Sequence, residues 1–196
     1  MTSPSRDSRH DGAFTLLELM LVLAVLLVVA ALTVPRLAGS LAALRVSRGT
    51  ELVFAAAREG RARAVLRGLR TRLVLAPPDG TFWIEEERKP LTAPGRWFEM
   101  PGREGKPYAL ADGARFGTVR VNDEPAPADA VEIRFHADGS ADEAVILVEN
   151  EEGDRGAVEI RGVTGRARIV PADEMDDVLQ SASGQRGRPQ STETGP

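Results

Sequence analysis

The segment GAFTLLELMLVLAVLLVVAALTVP, residues 12–35, is the longest apolar stretch of this 196-residue chain. Glu18 is its only charged residue, and residues 19–32 are apolar without exception. The 21 residues from Phe14 to Val34 would form a helix roughly 31 Å long, which matches the hydrocarbon core of a bilayer. The sequence therefore predicts a membrane-inserted helix over residues 14–35.

Glu18 is an unusual residue for such a helix, because a charge at the centre of a membrane helix costs roughly 2.5–3.5 kcal/mol. Two interpretations compete. A secretory signal peptide would be cut near the small residues Ala30 and Ala31. Alternatively, a cut before the apolar segment leaves it in the mature chain. The long apolar centre, the nearby Pro35 and the unexplained Glu18 favour the second interpretation.

The residues GAFTLLELM resemble the processing site of type IV pilins and type II secretion pseudopilins. The resemblance implies that a prepilin peptidase cuts between Ala13 and Phe14 and that the new N-terminus is methylated. Glu18 is then the fifth mature residue, and Pro35 lies at the position where the family often has a helix-loosening proline. Two features depart from the family pattern: Ala13 replaces the usual glycine, and the leader is electrically balanced. A cut after Gly12 would shift Glu18 to sixth place.

In this family context, Glu18 has a physical explanation. Cleavage creates a positive amine on Phe14, and the carboxylate of one subunit can meet the amine of the next. In a low-dielectric environment this pairing favours correct axial register, since a mismatch leaves two unpaired charges. The alternative is that Glu18, four residues from the end of the segment, reaches back to the lipid headgroups.

The composition excludes several classes of site. The chain has no cysteine and two histidines, which rules out disulfides, thiolate chemistry and a histidine-rich metal site. Residues 36–72 carry nine Arg against two Glu, whereas residues 73–170 carry twelve basic against nineteen acidic residues. This basic stem and acidic body are compatible with self-association or with docking on a neighbour.

The stem, residues 36–70, is rich in Ala, Leu and Arg and is expected to continue the helix. Leu37, Leu41 and Leu44 predict one apolar face. A less regular set follows: Val53, Ala57, Ala64 and Leu69. The arginines are most simply a solvated or subunit-contacting face, with DNA or lipid headgroups as alternative partners.

Residues 71–170 predict a β-rich domain. TRLVLAPPDGTFWIEE, with its Pro-Pro-Asp-Gly turn, indicates a hairpin, and short β-type runs follow. We expect one antiparallel sheet of six or seven strands, covered on one face by the helix, which makes the fold α+β and pilin-like. Residues 171–196 are poor in apolar side chains and are expected to form a disordered tail, with at most a transient helical turn from Asp173 to Gln180.

A second resemblance lies in the C-terminal half. Residues 131–170 look like the corresponding region of the GspH/FimT minor pseudopilins. The pattern is Phe-x-x-Asp-Gly-Ser followed by Thr-Gly-Arg, carried here by Phe135, Asp138, Gly139, Ser140, Thr164, Gly165 and Arg166. Ala137 occupies the position before the aspartate, where the family usually has a proline. FimT-like pilins of DNA-uptake systems have a Gly-Arg-x-Arg signature near this position, which makes Arg166 and Arg168 candidate phosphate contacts. The acidic surroundings argue against DNA.

We expect no catalytic residue, metal or cofactor. His136, Asp138 and Ser140 match no known nucleophile motif. The acidic runs Glu85–Glu87 and Glu149–Asp154 lack the order of an EF-hand loop, so solvated edges or loops are the simpler interpretation.

The two resemblances together imply a minor pseudopilin of a bacterial type II secretion system. Its expected partners are the prepilin peptidase, other major and minor pseudopilins and the inner-membrane assembly platform. It would cross the inner membrane once, with its C-terminal domain in the periplasm, and join the pseudopilus near its tip. The alternatives are a FimT-like pilin that binds DNA and a secreted soluble β-rich protein.

Overall fold

The computed structural model describes residues 16–88, 91–100 and 107–182. The predicted leader, residues 1–13, and the predicted first mature residue Phe14 lie outside these ranges, as do residues 183–196 of the expected tail. The chain divides into two compact units, Met1–Ser40 and Leu41–Pro196.

Helix α1 (Leu16–Arg67) begins two residues after Phe14 and continues as one element through Pro35 to the end of the stem. In the first unit, the side chains from Leu16 to Ala30 are exposed. None of the helices in the described ranges has the length and hydropathy of a membrane span.

The body consists of antiparallel strands. In chain order they are β1 (Thr71–Ala76), β2 (Thr81–Glu87), β3 (Trp97–Glu99), β4 (Tyr108–Ala109), β5 (Arg115–Val121), β6 (Glu124–Pro125), β7 (Val131–Phe135), β8 (Ala144–Glu149), β9 (Arg155–Ile160) and β10 (Ala167–Val170). The predicted hairpin is confirmed: β1 pairs with β2 across a 3₁₀ turn at Pro77–Asp79. A short helix, α2 (Met175–Ala182), follows the last strand.

The expected single sheet is wrong in one respect, because the described strands form two five-stranded sheets. The first has the order β3-β2-β1-β7, with β4 also pairing with β2, and the second has the order β10-β9-β8-β5-β6. Strand β7 alternates buried and less buried residues, as expected from the sequence, whereas β1 and β8 each bury three consecutive residues. The division into two sheets depends on which distant strands pair. The alternation of residues along each strand does not encode this pairing.

One hydrophobic core joins the C-terminal half of α1 to both sheets. Val53, Ala57 and Ala64 are fully buried against residues such as Ile133 and Ile146. The stem face is therefore centred on these small residues, as the second predicted set implies. Of the first set, Leu41 and Leu44 are more than half exposed, so the predicted apolar face is wrong at these two positions.

The start of the expected disordered tail is an ordered helix. Met175 of α2 is buried against Leu147, Ala157 and Val170 on the outer face of the second sheet. The prediction of disorder failed for these residues because only Met175, Val178 and Leu179 are needed to cover a sheet face that already exposes apolar side chains.

Candidate functional site

Glu18 lies in the first turn of α1 and is exposed. A carboxylate in this position interacts favourably with the partial positive charge of a helix N-terminus. Ala13 and Phe14, which form the predicted cleavage site, lie outside the described residues. Pro35 lies inside α1, at a position whose side chain also falls outside the described part of the chain.

The first C-terminal motif forms a tight turn after β7. The side chain of Phe135 is fully buried, and Gly139 has a φ of +90°, a backbone conformation that favours glycine. Asp138 Oδ1 accepts hydrogen bonds from the Ser140 N–H at 2.9 Å and from the Ser140 hydroxyl at 2.7 Å. These two bonds hold the pKa of Asp138 below its usual value. Asp138 and Ser140 therefore close a turn.

The second motif forms the turn between β9 and β10 and touches the first. Gly165 is buried with a φ of +58°, and its N–H donates to the Arg161 carbonyl at 2.7 Å. A Cβ on Gly165 would lie 2.3 Å from the Gly139 carbonyl oxygen. No side chain other than hydrogen fits at this contact, so the two turns depend on glycine at residue 165.

Arg61 of α1 ties the two turns to the helix. Its Nε donates to the Thr164 carbonyl at 2.8 Å and to the Gly139 carbonyl at 3.2 Å. Gly60, the residue before Arg61, packs against Phe135. A Cβ at Gly60 would lie 3.2 Å from the Phe135 ring. The family motif is thus assembled into a single junction. Arg61 could not be singled out from the sequence, because nothing there distinguishes it from the other arginines of the stem.

The candidate phosphate contacts have different environments. Arg168 forms ion pairs with Glu159 and, at 2.6 Å, with Glu174. The hydrogen bonds that Arg168 donates to Glu174 and Glu159 raise its pKa above the ordinary value. Arg166 is exposed, and its side chain makes no ion pair with any residue that the structure describes. Since Arg168 is already neutralised, the geometry gives a pair of DNA-contacting arginines little support.

The side chains of the acidic run Glu85–Glu87 form ion pairs with arginines of the stem and of β1. Arg72 bonds Glu85, Arg67 bonds Glu86, and Arg70 bonds Glu87 through both carboxylate oxygens, at 2.6 and 2.9 Å. Glu87 is fully buried and also accepts the Gly95 N–H at 2.6 Å. The Arg70 bonds lower its pKa, against the opposing effect of burial. The expectation of a solvated edge is therefore wrong for Glu86 and Glu87.

The second acidic run is a turn. Glu149 pairs with Arg115, and Asn150 exchanges two 2.8 Å hydrogen bonds with Asp154. In the described part of the chain, no group of three or more acidic or histidine side chains is arranged to hold a metal ion.

Comparisons with known proteins bear on both ends of the chain. Residues 8–34 match the family model of the prokaryotic N-terminal methylation motif. No curated protein matches the sequence significantly. The fold is similar to the minor pseudopilin EpsH from the type 2 secretion system of Vibrio cholerae, with 12% identity, a TM-score of 0.50, and coverage of 64% of this chain and 96% of EpsH.

The solution structure of Escherichia coli GspH is similar to the same degree. It has 16% identity and a TM-score of 0.50, with 67% of this chain and 91% of GspH covered. The pilin-like α+β fold expected from the sequence is confirmed. The chain therefore combines a prokaryotic N-terminal methylation motif with the fold of the GspH-type minor pseudopilins of type II secretion, and the resemblance drawn from its sequence is confirmed.

Proposed function

We propose that this chain is a structural minor pseudopilin of a bacterial type II secretion system. The observation that carries the proposal is the combination of the methylation motif at residues 8–34 with a GspH-like body at the other end of α1. A prepilin peptidase cuts between Ala13 and Phe14, and the new N-terminus is methylated. Before assembly, the mature chain is anchored in the inner membrane by its N-terminal helix, with its body in the periplasm.

Assembly follows from the N-terminal helix. The assembly platform lifts the chain into the pseudopilus near its tip, next to other major and minor pseudopilins, where it supports protein export. Glu18 pairs with the N-terminal amine of the neighbouring subunit, and this pairing sets the axial register. Pro35 loosens the helix between the membrane segment and the body. The role is mechanical, and no step of it requires catalysis.

The pairing of Glu18 is tested by its replacement. In cells that express the whole secretion system, the Glu18→Ala chain is expected to enter the membrane normally but to be lost from sheared pseudopili. Glu51→Ala provides the matched control, because Glu51 is an exposed carboxylate on the same helix outside the motif. Incorporation of Glu18→Ala at the level of the control would contradict the proposed pairing.

The DNA-uptake alternative has less support in the geometry. It requires phosphate contacts at Arg166 and Arg168, and Arg168 is held by two carboxylates. Retention of the full chain on duplex DNA, weakened by salt and by Arg166→Ala, would favour that alternative.

A further inference from the structure

The face of the second sheet that is turned away from α1 carries a cavity. Ile146 and Val148 of β8 pack in the core that includes α1, so the residues that alternate with them lie on the other face. Leu147 is one of these, and it packs with α2 in a separate cluster. The cavity has a volume of about 280 Å³ and is lined by Thr118, Arg120, Val145, Leu147, Glu149, Arg155 and Leu179. We call it the outer pocket.

The apolar part of the outer pocket comes from β8 and α2. Val145 and Leu147 are alternate residues of β8, and Leu179 of α2 packs against the cluster that contains Leu147. Gly117, in the bulge of β5, permits a close approach on the other side: a Cβ there would lie 2.8 Å from Leu147 Cδ2. The pocket thus has an apolar lining that suits a short aliphatic group.

The polar part of the outer pocket is cationic. Arg120 of β5 lies opposite Val145 in the strand register. Arg155 of β9 lies opposite Glu149. Neither arginine forms an ion pair with a residue in the described ranges. Glu149, the carboxylate of the lining, is instead paired with Arg115 at 3.2 Å. The outer pocket therefore has two positive charges that the body leaves uncompensated.

The side chain of Arg120 indicates what the pocket binds. Its Nη2 donates to the backbone carbonyl of Asp123, which holds the guanidinium at the β5–β6 turn. Its Nε is buried and has no hydrogen-bond partner among the residues that the structure describes. A buried donor on a charged group is costly without an acceptor. A carboxylate is a suitable acceptor, because hydrogen bonds between guanidinium and carboxylate are charge-assisted and strong.

We propose that the outer pocket binds a carboxylate that carries a short aliphatic group. The carboxylate accepts a hydrogen bond from Arg120 Nε and is stabilised by the charge of Arg155, while the aliphatic group packs on Leu147 and Leu179. A small free carboxylic acid and the C-terminal residue of a peptide both offer this chemistry. Because the pocket lies on the sheet face turned away from α1, binding requires neither the processing nor the assembly of the proposed function.

Methyl NMR of the full chain in lipid nanodiscs tests the site with two matched pairs of probes. Isocaproate should shift the methyl signals of Val145, Leu147 and Leu179 saturably, and uncharged isocaproamide should bind roughly tenfold more weakly or worse. N-acetyl-glycyl-leucine and its C-terminal amide make the same comparison for a peptide. Binding of the peptide acid identifies a chain terminus as a ligand, whereas binding of isocaproate alone identifies a free acid.

Two substitutions of Thr118 isolate the effect of charge, because Thr118 is exposed and lines the pocket. Thr118→Glu places a carboxylate beside the two arginines. It should weaken the binding of isocaproate roughly tenfold relative to Thr118→Gln, which has the same shape without the charge.

Arg120→Gln removes the proposed donor and should also weaken binding roughly tenfold. Arg161→Gln is the matched control, because Arg161 is exposed just beyond the other end of β9, and it should leave the affinity unchanged.

Three results would overturn the proposal. The first is equal affinity for isocaproate and isocaproamide, since the cations would then play no part. The second is equal affinity for isocaproate in the Thr118→Glu and Thr118→Gln chains. The third is the absence of any shift at Leu147 with both acids. The N-terminal residue of the same samples, read by mass spectrometry, tests the proposed function separately.

Discussion

Arg61 is the residue on which the junction of the body depends. Its Nε donates to the carbonyl of Gly139, in the turn that connects β7 of the first sheet to β8 of the second, and to that of Thr164, in the turn between β9 and β10. The two motifs were recognisable in the sequence, and their residues are close together in the structure. Arg61 was not recognisable, because its partners are backbone carbonyls 78 and 103 positions away. Every residue has a backbone carbonyl, so the residue type does not show which one accepts the hydrogen bond.

Replacing Arg61 should loosen the whole body. Arg61→Ala removes a charged donor from two carbonyls, and we expect a loss of about 2 kcal/mol in the free energy of unfolding. Chemical denaturation of the full chain in detergent, followed by the fluorescence of Trp83 and Trp97, measures this loss. Arg58→Ala, which removes an exposed arginine from the same helix, should cost about 0.5 kcal/mol or less. Equal losses in the two variants would contradict the role of Arg61.

Glu87 makes stability sensitive to acid. Its pKa in the folded chain lies below the ordinary value of 4.5 because Arg70 bonds the ionised carboxylate. The unfolded chain therefore binds the proton more readily, so this contribution to stability is complete above about pH 4.5 and is lost as pH falls through the folded pKa. Thermal unfolding from neutral pH down to about pH 3 measures the effect.

Glu87→Gln isolates that contribution. We expect a lower melting temperature at neutral pH, because Arg70 loses a buried partner, and a smaller further decrease on acidification. A variant that loses stability on acidification as steeply as the original chain would show that Glu87 is not the source of the pH dependence.

At the scale of elements, close approach between α1 and the sheets organises the body. The buried helix face is built from Ala, Gly, Val and Thr, which let the helix backbone lie near the strands. This face was only partly predictable. Val53, Ala57 and Ala64 recur at helical spacing, but the larger Leu41 and Leu44 gave a stronger signal and are exposed. Size and hydrophobicity favour leucine for a core, whereas the short distance to the strands requires small residues.

The contact between Gly156 and Thr50 tests this packing. A Cβ on Gly156 would lie 2.2 Å from Thr50 Oγ1, so Gly156→Ala should destabilise the body by about 1–3 kcal/mol through overpacking. Adding Thr50→Ala removes that oxygen and should recover part of the loss, which a double-mutant cycle measures.

Gly162→Ala is the control for that cycle. A Cβ on Gly162 would lie 3.4 Å from its nearest neighbour, the Ala141 carbonyl oxygen, so this substitution should be tolerated. If Gly156→Ala were equally well tolerated, the close approach of α1 to β9 would be incorrect.

At the scale of the whole molecule, features set by neighbouring residues were predictable from the sequence, and features set by distant residues were not. The hairpin β1–β2 was predictable because Pro77, Pro78, Asp79 and Gly80 form a local turn signal. The N-terminal motif was predictable because its residues occur in a fixed register. The partition of strands into two sheets was not predictable, since it depends on the pairing of β1 with β7 and of β5 with β8, which are distant in sequence. The docking of α2 was not predictable either, since it depends in part on Leu147 of β8.

The central claim is that residues 1–13 are removed and that the chain works as a pseudopilin from Phe14 onward. Intact-mass and N-terminal peptide mass spectrometry of the chain, expressed with a prepilin peptidase, tests it most directly. The account predicts a mature chain that begins with N-methylated Phe14, and an uncut chain when the peptidase is absent. A mature chain that begins beyond Ala30, or one that keeps Met1 in the presence of active peptidase, would contradict it.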